Sequence, residues 1–146
     1  MTVAVRLDTT QAGPIWAESV GVSSGASMQS LDRDAVDLEY RKIAGLFSAD
    51  DDIPSDAAVL SATQFLPLIV ARASKLGCWV SPHMTVSESG EVVFEWWRGA
   101  KKVTLYFGDA APEFLRVWGT NIETEMDSGE LTEGWSLTSL FHWLHS

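Results

Sequence analysis

The chain reads as an α+β protein: an antiparallel three- to four-stranded meander with helices packed on one face. Three observations predict this. Ser87 to Phe107 runs strand, turn, strand, with a Ser-Gly turn leading in and Arg98-Gly99-Ala100-Lys101 between the two runs. Apolar residues at helical spacing precede this stretch and return after it. Helices and strands come in separate blocks rather than in alternation, which argues against a parallel cofactor-binding sheet. At 146 residues one domain is expected, with enough chain to bury a core. Residues 1–30 are expected as an N-terminal arm or linker, and residues 31–146 as a single α+β domain.

Val3, Val5 and Leu7 alternate as in a short strand, while Gly21 to Ser30 is small and polar and reads as linker. Residues 32–47 carry a helical stripe of Val36, Tyr40, Ile43 and Phe47, with Asp32 and Asp34 at the N-terminal end, where the dipole favours them. Residues 48–56 form an acidic loop. A second helix covers 57–76, with Val59, Leu66, Ile69, Ala73 and Leu76 on one face, widened by Phe65 and Leu68. Gly77 suits its C-terminal cap. Ser61 and Gln64 have capping-box spacing, which offers Ser61 as an alternative start, and Pro67 should bend the helix.

Strands follow at Met84–Glu88, Glu91–Arg98, Lys101–Phe107 and Phe114–Trp118, with Trp79 and Val80 as a further possible start. Val103, Leu105 and Phe107 share one face of their strand, and Lys102, Thr104 and Tyr106 the other. One side of the sheet is therefore drier. Residues 119–134 hold Glu123, Glu125, Asp127, Glu130 and Glu133 and no basic residue, the composition of an acidic loop or irregular hairpin. Leu137, Leu140, Phe141 and Leu144 mark a closing helix at about 136–145, with Ser136 as its N-cap.

Charge narrows the function. Twenty acidic against ten basic residues give a net charge of −10, which argues against direct nucleic-acid binding, since phosphates need clustered Lys and Arg. A basic partner fits, through long-range attraction. The single cysteine, Cys78, forms no internal disulfide. The start lacks the basic flank and apolar run of a signal peptide, and the most apolar run, Phe65 to Ala71, is too short to span a bilayer. A cytoplasmic protein with no membrane contact is expected.

The chain from Phe65 to Leu144 resembles small uncharacterised bacterial proteins with a helix, a Gly-x-Val-x-x-Glu-Trp hairpin and a closing helix. The motif here is Gly90, Val92, Glu95 and Trp96. The resemblance implies a fold and no assigned activity.

Catalytic signatures are missing. No phosphate loop, dinucleotide fingerprint or nucleophile elbow occurs, so no catalytic residue and no cofactor is expected. Cys78, His83, His142 and His145 are metal-ligand types without metal-ligand spacing, so no metal is expected either. Cys78 follows a cap glycine and precedes Trp79, the setting of a structural thiol. Glu95, on a central strand between Phe94 and Trp96, is expected to pair across the hairpin with Lys102 or Arg98.

Seven tryptophans exceed what one core readily hides. Trp96 and Trp97 are adjacent on a strand and must face opposite ways. The reading that follows is a non-catalytic acidic protein-binding module, like an inhibitor, antitoxin, immunity protein or phage counter-defence protein. It would dock on a basic protein or nucleoprotein such as a nuclease. Asp50, Asp51, Asp52, Glu123, Glu125 and Asp127 are the expected steering carboxylates, and Trp97 and Trp118 the anchors. Two alternatives remain: a homo-oligomeric accessory or structural protein, as a homodimer through the spare aromatic face, and a small enzyme with its site around Glu95, Tyr106 and Trp97.

Overall fold

The computed structural model describes residues 20–48, 52–132 and 135–146. The chain divides into two compact units, Met1–Asp34 and Ala35–Ser146. In the first, the described residues are helical and belong to α1 (Val20–Gly45). The linker expected at Gly21–Ser30 is thus helical. Gly and Ser lower helix propensity, but the stretch contains no proline, the residue that breaks a helix. The strand expected near Val3 to Leu7 lies outside the described residues.

The second unit is α+β. It contains the end of α1, then α2 (Asp56–Lys75), five strands β1 (His83–Val86), β2 (Val92–Arg98), β3 (Lys101–Phe107), β4 (Glu113–Val117) and β5 (Met126–Glu130), and α3 (Trp135–His145). The strands form one antiparallel sheet in the order β1-β2-β3-β4-β5. The expected meander is present with one strand more than the three or four expected.

That extra strand arises from the acidic stretch. Met126-Asp127-Ser128-Gly129-Glu130 has no alternation of apolar residues and poor β propensity. It forms because β4 offers a backbone ladder, with Phe114 paired to Gly129. A Cβ on Gly129 would stand 3.1 Å from the Phe114 ring, so glycine lets the ring lie over the edge strand.

Val92, Phe94 and Trp96 pair with Phe107, Leu105 and Val103, and all six are buried. Helices α2 and α3 cover this face. Ala58, Ala62, Leu66, Ile69, Val70 and Ala73 come from α2, and Leu137, Leu140, Phe141 and Leu144 from α3. Ile43 of α1 and Leu131, just after β5, complete the cluster. Phe47, expected on the same stripe, is 47% exposed. After Gly45 the helix tightens into a 3-10 turn, Leu46–Ser48, which rotates Leu46 rather than Phe47 toward the core.

Ser55, not Ser61, caps α2: its Oγ accepts from the Ala58 N–H at 3.1 Å. At the other end Gly77 takes φ +71. The Cys78 N–H then reaches the Ala73 carbonyl and the Gly77 N–H that of Ser74, both at 2.9 Å, a Schellman closure. Gly90, at φ +82, closes the β1–β2 turn and accepts the Ser55 N–H at 3.0 Å. The last helix begins at Trp135, so Ser136 lies in its first turn instead of capping it.

Among the described residues α2 is the one helix long and apolar enough to cross a membrane, a property that core helices share. Its residues Ala58, Ala62, Leu66, Ile69, Val70 and Ala73 are buried in the protein's own core, while Leu60 is exposed.

Candidate functional site

Strand alternation puts Val93, Glu95 and Trp97 of β2 on the side of the sheet away from α2 and α3. The register then carries one row across four strands: Trp97 to Lys102, Lys102 to Val117, Val117 to Met126. The next row runs His83, Glu95, Thr104, Leu115, Ser128. Trp96 is 4% exposed and Trp97 55%. The adjacent indoles therefore face opposite ways, and the outward one lies on a face that neither α2 nor α3 covers.

Glu95 anchors this face. Lys102 Nζ stands 2.7 Å from its Oε2, and Thr104 Oγ1 donates to the same oxygen at 3.5 Å. The Lys102 ammonium also lies 5.4 Å from the Trp97 ring centroid, a cation–π contact. The His83 ring sits 6.0 Å from Trp97 on its other flank. The cross-hairpin pairing expected for Glu95 is with Lys102. Beside Trp97 a cleft of about 250 Å³ is lined by Val80, Ser81, His83, Glu95 and His145, among others.

His145 accepts at Nδ1 from Arg98 Nη1 across 2.6 Å, which places its own proton on Nε2. Burial, assisted by the neighbouring guanidinium, holds its pKa below the ordinary histidine value. Burial pushes the Cys78 thiol up, against a smaller opposing effect of Arg98, as expected of a structural thiol. Among the described residues no three His, Cys, Asp or Glu side chains gather to hold a metal ion.

The expected site residues fall into separate places. Trp118 continues β4 on the helix side, edge-on to Trp143 at 5.9 Å, so it and Trp97 occupy opposite faces. Arg116 lies over both rings and binds Asp127 at 3.0 Å, which ties that carboxylate down. Glu123 and Glu125 sit on the β4–β5 hairpin with Ile122, which is 73% exposed. Neither makes an ion pair among the described residues. Asp50 and Asp51 lie outside the described residues. Asp52 is three residues before Ser55, which contacts the Gly90 turn at the start of β2. The β4–β5 hairpin is at the other end of the sheet, about 20 Å away along a seven-residue strand. Asp52 and the β4–β5 hairpin therefore lie at opposite ends of the sheet.

One polar group escaped sequence reasoning. Glu39 is fully buried. Its two oxygens accept from Ser81 Oγ at 2.9 and 2.8 Å, and Lys42 Nζ lies 2.9 Å away. Lys42 also donates to Ser81 Oγ and the Pro82 carbonyl, each at 2.6 Å. This network ties α1 to the approach to β1. Its only sequence signal is a charge three residues after Val36 and four before Ile43, on the apolar side of the helix.

Comparison with protein-family models, with curated proteins and with solved structures finds no match to this chain.

Proposed function

We propose that the chain is a non-catalytic acidic protein-binding module, inhibitor-, antitoxin- or immunity-like, that docks on a basic protein or nucleoprotein. The observation that carries this reading is Trp97: a large indole, 55% exposed, on the face of the sheet away from α2 and α3. Its row continues through Val117 to Met126, at the end of the sheet where the hairpin presents Glu123 and Glu125. An aromatic anchor and, three strands away, carboxylates with no ion pair among the described residues suit a cationic partner, the first to hold it and the second to steer it. Trp118 and Asp127 are engaged with Trp143 and Arg116 and are assigned to packing.

The test is binding of small cationic nucleases to the protein and to its Trp97→Ala and Trp118→Ala variants, by surface plasmon resonance. Loss of affinity in the first variant alone supports the reading. Equal affinity in the parent and Trp97→Ala overturns it. A dimer that forms through Trp97, seen by sedimentation, would instead give the face to a second copy.

A further inference from the structure

Among the described residues strand β5 is one edge of the sheet, bonded to β4 on one side. Trp118 N–H donates to the Glu125 carbonyl at 3.0 Å and Leu131 N–H to the Pro112 carbonyl at 2.7 Å. These bonds bracket the ladder and set its phase, because inward and outward residues alternate along an antiparallel edge. Glu125, Asp127, Gly129 and Leu131 turn their backbone groups toward β4. Met126, Ser128 and Glu130 turn theirs outward, where no described residue meets them. All three are exposed.

Natural edge strands are blunted by lysine, proline, bulges or a covering element. This one has none of these among the described residues; its protection is its five-residue length and its carboxylates, Asp127 and Glu130, which repel an acidic strand and not a basic one. A second copy would bring the same acidic segment, Glu123, Glu125, Asp127 and Glu130, up to this edge, and two chains of net charge −10 repel. A cationic strand meets the opposite situation.

Resting on the reading above, we propose that the partner's basic element is an extended segment that adds to β5 as a sixth strand, bonding to the outward backbone groups of Met126, Ser128 and Glu130. Backbone hydrogen bonds supply the register of such an added strand, and charge supplies its selection. The occupant is a cationic, extended protein segment.

A short, end-blocked peptide of alternating lysine and valine is the probe, compared with the same sequence N-methylated at alternate amides. Binding is read by fluorescence anisotropy and by exchange of individual β5 amides. The unmodified peptide should bind at least about tenfold more tightly, a difference of about 1.4 kcal/mol, and should slow exchange at Met126, Ser128 and Glu130. Ser128→Pro removes one outward N–H without touching the β4 ladder and should lower affinity with little loss of thermal stability. If that variant unfolds, the N-methylated peptide still decides. Equal binding of both peptides without amide protection overturns strand addition and leaves the basic-partner reading standing. Binding of neither also overturns strand addition. The basic-partner reading is judged separately, with folded cationic nucleases.

Discussion

The Tyr40 hydroxyl donates to the Thr63 carbonyl across 3.5 Å. Thr63 lies four residues before Pro67, which sits inside α2 and has no N–H to give. Proline therefore leaves one helical acceptor open, and a side chain from α1 meets it. The long distance makes this a modest bond, but it accounts for a proline within a twenty-residue helix.

Tyr40→Phe should cost about 0.5–1 kcal/mol in urea unfolding, because the Thr63 carbonyl loses its partner. In a Pro67→Ala background the same substitution should cost less, since the restored N–H reaches that carbonyl. Equal costs in both backgrounds would show that the two residues are not coupled.

Glu39→Ala should destabilise by about 1–3 kcal/mol, as Ser81 and Lys42 lose their acceptor. Lys42 is 35% exposed and can turn to water, which keeps the cost below that of a fully buried pair. Glu39→Gln should retain part of the stability. Thermal melts of the three proteins order them.

His145 makes stability depend on pH. Its folded pKa lies below the ordinary value of 6.5, so between the two values the unfolded chain binds more proton. Stability should fall as the pH drops below about 6.5 and level off only beneath the folded pKa. His145→Gln should remove that slope from unfolding curves measured across the window. An unchanged slope would assign it to another group.

Cys78 should alkylate slowly with iodoacetamide at neutral pH in the folded protein and faster after unfolding. The raised pKa leaves less thiolate in the native state. Equal rates would contradict its burial.

Much of the sheet was legible because β2 and β3 alternate cleanly, and Arg98–Lys101 is a turn that chemistry marks well. Gly77 was legible for the same reason: only a residue at ease with positive φ closes that helix. Strand β5 was not, since an edge strand held by backbone bonds needs no apolar pattern of its own. The start of α2 was legible to within one residue, at 57 against Asp56, but its cap was not: Ser61 has the capping-box spacing, while the contact of Ser55 with the Gly90 turn is remote in sequence. Trp97 was legible as one of two adjacent indoles, one of which had to face outward. That Trp118 does not share its face depends on the pairing of β3 with β4, which local sequence does not encode. The separation of Asp52 from the β4–β5 hairpin depends on the whole path of the chain.

The association rate with a cationic nuclease, followed by stopped flow as ionic strength rises, tests the account most directly. Steering by carboxylates predicts a steep fall in that rate as the Debye length shrinks from ~30 Å to ~8 Å. A rate that stays flat across the range would contradict it.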